Sequence, residues 1–152
     1  MNKSSFLFLG LLAALLLFLP LTEEKPATGW PLRYTPLTDW GLRVHEVMHL
    51  MKGHELLDRS DKELHYRGRG PVLCYSYLFS GGRLVSSAAV LDTRQVCSRT
   101  VTAFDGFDKV PLERDMFVDL KSSTVGQVGY AGSYPVLCWT AFDHALTDAH
   151  AH

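Results

Sequence analysis

The pattern of apolar and polar positions divides the chain into three stretches. Phe6 to Leu21 is almost unbroken apolar sequence behind Lys3. From Leu37 to Met51 the apolar residues recur at helical spacing, with Leu37, Trp40, Val44, Val47, Met48 and Met51 on one stripe. From Val72 onward the period shortens to that of strands. Thr38 or Asp39 can cap the helix, and Gly53 weakens or ends it, with a further helical turn through Glu55-Leu56-Leu57 stopping by Asp58-Arg59-Ser60. Asp61 to Arg69 is strongly polar, and Gly68-Arg69-Gly70-Pro71 reads as a loop. Val72–Phe79 and Arg83–Leu91 flank Ser80-Gly81-Gly82 and predict a β-hairpin. Val96–Phe104 predicts a third strand. Met116, Val118 and Leu120 predict a fourth, and Pro135–Phe142 a last one. Between them Gly126, Gly129 and Gly132 punctuate Val125–Tyr134. The expected fold class is α+β, with one amphipathic helix laid on an antiparallel sheet of about five strands.

The first stretch predicts export. Its apolar core, Phe6–Leu19, is 14 residues, or 16 through Leu21. A helix of 16 residues spans about 24 Å at 1.5 Å per residue, short of the roughly 30 Å of a bilayer's hydrocarbon. That favours a cleaved signal peptide over a membrane-spanning helix. The best small-x-small cleavage site is Ala27-Thr28-Gly29, but Glu23, Glu24 and Lys25 precede it, so an uncleaved anchor stays open. The expected organisation is a signal or anchor with the start of a linker over 1–29, then one extracytoplasmic domain over 30–152 with a short histidine-rich tail. Pro26, Pro31 and Pro36 mark the linker.

Composition narrows the function classes. Of 152 residues, 15 are basic and 16 acidic, with no block of either sign, which points away from nucleic acid and from a polybasic membrane patch. Arg67, Arg69 and Arg83 among aromatics are a weak nucleic-acid signal. No isoleucine and a single asparagine, Asn2, occur, a bias read as genomic. The phosphate-binding glycine loops, Gly-x-Ser-x-Gly and Cys-x-x-Cys are all missing.

Three cysteines are present, Cys74, Cys97 and Cys138. Pro71–Ser76 (PVLCYS) echoes Pro135–Thr140 (PVLCWT), so a bridge between Cys74 and Cys138 is the favoured pairing. It would close a loop of about 64 residues and stabilise by roughly 4 kcal/mol in the chain-entropy model. The alternative is three buried free thiols. Short apolar strands also resemble one another by chance, so the echo need not be a repeat.

The one motif with catalytic spacing is His45-Glu46-Val47-Met48-His49. On a helix, His45 and His49 project from one face and can share a Zn²⁺, with Glu46 beside them as base toward a zinc-bound water. In these five residues the chain resembles the zincin metallopeptidases. The resemblance implies His45 and His49 as metal ligands, Glu46 as catalytic base and zinc as cofactor. The longer zincin signature would place glycine and histidine where Lys52 and Glu55 stand, and His54 falls out of register. A third ligand must come from elsewhere, with Glu63, His65, Glu113, Asp143 and His144 as candidates. The same histidines also suit a solvated helix face without a metal. Asp143, His144, Asp148, His150 and His152 could capture metal weakly at a disordered tail.

Two functions are therefore expected from different classes. The favoured one is a non-catalytic extracytoplasmic domain that binds a protein partner in the envelope or an extracellular assembly, with Tyr75, Tyr77, Phe79, Tyr130, Tyr134 and Trp139 available for contacts. It would carry no cofactor, and would hold the membrane through Phe6–Leu21 if uncleaved. The alternative is a small zinc-dependent hydrolase using the pentad.

Overall fold

The computed structural model describes residues 35–92, 102–104, 106–110 and 115–150. Phe6–Leu21, Cys97 and Glu113 lie outside the described residues, as does most of the third strand expected at Val96–Phe104. Eight strands form one antiparallel sheet: β1 (Leu56–Arg59), β2 (Glu63–Arg67), β3 (Val72–Ser80), β4 (Arg83–Leu91), β5 (Asp108–Lys109), β6 (Met116–Asp119), β7 (Thr124–Ala131) and β8 (Tyr134–Ala141). Their order across the sheet is β1-β2-β3-β4-β8-β7-β6-β5. Two short helices accompany them, α1 (Val44–Leu50) and α2 (Phe142–His150). The described fold is mainly β, not the expected α+β arrangement of about five strands.

Local chemistry explains each difference. Gly41 takes a positive φ of 89°, which ends any helix before Val44, so Leu37 and Trp40 precede α1. Asp61–Arg69 reads as strongly polar with no strand assigned, yet Leu64 and Tyr66 alternate toward one face and form β2. Leu56 and Leu57 belong to strand β1, not to a resumed helix. The glycines of β7 read as punctuation but sit inside a strand. Thr102–Phe104 is a single 3-10 turn. The tail expected to be disordered forms α2 over Phe142–His150. The β3–β4 hairpin matches its reading closely. Gly81 and Gly82 both have positive φ (57° and 74°), as a two-residue type I′ connection requires.

The topology is two four-strand meanders, β1–β4 and β5–β8, joined where β4 pairs with β8. β3 and β7 hold equivalent places in the two halves, as do β4 and β8. The echoing segments fall on β3 and β8, which are not equivalent, so the echo is a likeness of two strands and not the trace of a repeat.

Register places one row of side chains across each face. On the first face the row runs Leu64, Tyr77, Ser87, Trp139, Gly126, Phe117. Against it pack Val47 of α1, Met51 just after it, the 35–43 segment through Leu37, Trp40 and Leu42, and Phe104. The two small residues of the row lie where other groups cross it. The Ser87 hydroxyl donates to the Leu37 carbonyl at 2.5 Å, and the Phe104 ring covers Gly126. The Trp40 indole N–H donates to Thr124 Oγ1 at 2.9 Å, and the Tyr77 hydroxyl meets Met51 Sδ at 3.2 Å. On the second face the row is Asp58, His65, Ser76, Ala88, Cys138, Gln127, Met116.

The register also decides the favoured disulfide. Cys74 lies on β3 and Cys138 on β8, with β4 between them. Two strand spacings and a two-residue offset in register put their Cα atoms more than roughly 10 Å apart, beyond the roughly 7 Å a disulfide spans. Both are free thiols.

Candidate functional site

Helix α1 carries the pentad. Arg43, the residue before it, offers the first turn its backbone carbonyl but no side-chain acceptor. Glu46 supplies the cap from inside the helix, its Oε2 accepting the Arg43 N–H at 2.6 Å. That bond is half of the reciprocal arrangement that ends helices in this way. The same bond is the main reason the Glu46 carboxyl titrates below its ordinary value, with the charges of His45, Arg43 and Arg83 adding to it. Val47 turns into the core, and His45 and His49 are exposed on the outer side. The helix therefore presents two imidazoles to water while its carboxylate is engaged at the N-terminus. To act as a base toward a metal-bound water, Glu46 would have to leave its cap.

The third-ligand candidates separate. Val47 packs on the first face of the sheet, whereas Glu63 and His65 project from the second, so the sheet stands between them and α1. Asp143 and His144 lie in α2. Among the described residues no three His, Cys, Asp or Glu side chains stand close enough together to hold a metal. His54 is used elsewhere, its Nδ1 3.3 Å from the Arg67 carbonyl and its ring edge-on to Tyr75 at 5.8 Å. The arginines near the aromatics are committed too. Arg67 pairs with Glu55, Arg69 donates to the Gly53 carbonyl and Arg83 to the Gly41 carbonyl.

The structure does bring Glu63 and His65 together, with Ser76, which sequence reasoning did not single out. His65 Nε2 lies 3.3 Å from Glu63 Oε2, and His65 Nδ1 lies 2.8 Å from Ser76 Oγ. An ionised carboxylate only accepts, so neutral His65 carries its proton on Nε2 and Ser76 donates to Nδ1. The order acid–imidazole–hydroxyl is that of a serine nucleophile and its base. Ser76, however, is fully buried and His65 nearly so, leaving no approach for a substrate. The arrangement satisfies polar atoms in the interior. No sequence signal could have found it, because Glu63 and His65 meet Ser76 only through the β2–β3 register. Beside it, burial pushes the Cys74 thiol up to about 12, and burial does the same to Cys138. Both thiols are held neutral, Cys74 buried and Cys138 partly exposed.

The aromatics expected to face a partner divide sharply. Tyr75, Tyr77, Phe79 and Trp139 are core residues. The remaining two flank the β7–β8 turn. Tyr130 is 59 % exposed, and Tyr134 is partly buried. Tyr130 pairs with Pro135 and Ala131 with Tyr134, and Gly132, with φ 62°, makes the reversal. The two rings thus leave opposite faces of one hairpin tip.

Comparison with protein-family models, with curated proteins and with solved structures finds no match for this chain.

Proposed function

We propose that this protein is a non-catalytic binding domain that engages a protein partner through the tip of the β7–β8 hairpin. The observation that carries the reading is Tyr130, an aromatic ring held mostly in water on a strand end that the ladder to β8 keeps in place. Tyrosine on a rigid support is a low-entropy contact residue, and Gly and Ser beside it provide the adaptable backbone of recognition loops. The hydrolase alternative requires two further things: release of Glu46 from the α1 cap, and a ligand to join His45 and His49 from outside the described residues.

The test is differential capture from the native source. Wild-type protein, Tyr130→Ala and Leu120→Ser are compared as baits. Leu120 is also exposed, at the opposite end of β7 in the β6–β7 turn. A partner kept by wild type and Leu120→Ser but lost by Tyr130→Ala supports the reading. A partner kept by Tyr130→Ala and lost by Leu120→Ser moves the site to the other end and overturns it.

A further inference from the structure

The β7–β8 tip brings an aromatic ring to the surface but no charge of its own. Between Lys121 and Asp143 the chain has no Asp, Glu, Lys, Arg or His. The field at the tip is therefore set by the neighbouring strands. One acidic side chain stands beside Tyr130 on the same face. Asp115 directly precedes β6, and its carbonyl accepts the Val128 N–H at 2.9 Å, so the β6–β7 register runs one pair beyond Met116 and Gln127. Val128 packs on the first face of the sheet. Asp115, opposite it, and Tyr130, two residues further along β7, share that face. Diagonal neighbours of this kind lie roughly 7–8 Å apart between Cα atoms, within reach of aromatic and long side chains. Buried Pro135 stands opposite Tyr130 on the β8 side, and Asp115 stands on the β6 side. Tyr130 and Asp115 are both exposed. Asp115 belongs to neither of the two ion pairs found among the described residues. Its diagonal neighbour on the far side is Lys109, opposite Phe117 on β5, and the two are not bonded.

A partner that covers Tyr130 also takes the Asp115 carboxylate out of water. An acidic partner would meet like charge there, and a neutral one would leave the carboxylate desolvated without a counter-charge, which costs affinity. A cation answers both groups at once. Arginine suits them better than lysine, because its planar guanidinium lies on an aromatic face and forks onto a carboxylate, whereas an ammonium does only one of these well. We propose that the partner engaged at the β7–β8 tip docks through a basic segment, an arginine of which lies against the Tyr130 ring and pairs with Asp115. The proposal rests on the partner-binding reading and names the chemistry of that partner.

The test uses a phage library of random dodecapeptides panned on the immobilised full chain, with Tyr130→Ala as counter-selection. Peptides that need Tyr130 should be enriched in arginine. Their binding should weaken roughly tenfold on Asp115→Asn, survive Lys109→Gln, and fall as salt is raised. Tyr130→Phe should keep most of the affinity, and Tyr130→Leu, which keeps the apolar bulk without the ring, should lose it. Replacing the key arginine of a selected peptide by glutamate should abolish binding to wild type and restore it toward Asp115→Arg. Circular dichroism checks that each variant is folded. Tyr130-dependent peptides that are neutral or acidic, or that ignore Asp115→Asn, overturn the basic partner and leave the tip as the binding site. A selection that yields no Tyr130-dependent peptide counts against the tip itself, and the basic partner falls with it.

Discussion

Gly126→Ala should destabilise this protein, although a strand glycine replaced by alanine ordinarily gains from lower chain entropy and better strand propensity by about 0.5–1 kcal/mol. The reason is the ring above it. A Cβ on Gly126 would overlap Cδ1 and Cε1 of Phe104. Phe104 has little freedom to yield, because it stacks on Phe117 at 4.9 Å and 16° and lies 5.2 Å from Trp139 and 5.5 Å from Phe107. Forcing one methyl into such a site costs about 1–3 kcal/mol, which outweighs the propensity gain. Phe104→Ala alone should cost about 3–5 kcal/mol by leaving a cavity. Once the ring is gone the added methyl has room, so Gly126→Ala in the Phe104→Ala background should be neutral or slightly stabilising. The double-mutant cycle should then show a coupling of roughly 2 kcal/mol. Urea unfolding followed by tryptophan fluorescence and far-UV circular dichroism measures all four corners. Additive free energies, or a stabilised Gly126→Ala single variant, would refute the packing argument.

Three further outcomes follow from other residues. Glu46 titrates below its ordinary 4.5 because it caps α1; its contribution is therefore fully present above that pH and is lost as pH falls through the lower folded value. Glu46→Gln should melt earlier than wild type at pH 7, with the two curves converging under strongly acidic conditions. His65→Ala should cost about 3 kcal/mol, since it empties a buried site and strands the Ser76 hydroxyl, while Ser76→Ala should cost about 1–2 kcal/mol; chemical denaturation that ranks them the other way would contradict the assigned hydrogen-bond directions. Elemental analysis of the protein after equilibration with zinc should find no tightly held metal that depends on His45 and His49. One zinc per chain lost in His45→Ala/His49→Ala would instead revive the hydrolase reading.

What could be read from the sequence was what local chemistry alone determines. The Gly81-Gly82 turn and the apolar strands beside it declare themselves, because positive φ and alternation are properties of a few adjacent residues. β2 hides because only Leu64 and Tyr66 alternate inward among charges, and on its second face His65 is polar yet buried by a network that register creates. β7 hides because Gly126 is demanded by Phe104, a residue 22 positions earlier, and not by a turn. The apolar stripe makes the helix look longer at its start than it is, since the stripe continues through Leu37 and Trp40 although Gly41 breaks the backbone. The pentad shows the same limit. Its spacing is visible in the sequence, but the engagement of Glu46 and the placement of Glu63 and His65 across the sheet are three-dimensional facts. The aromatics misled in the same way, because strand tyrosines look alike whether they face the core or water.

The central claim, a partner held at the β7–β8 tip, is tested most directly by photocrosslinking in the native source with a photoreactive side chain at Tyr130, and again at Leu120. The account predicts one discrete crosslinked protein from position 130 that position 120 does not give. Equal products from both positions, or a product from 120 alone, would contradict it.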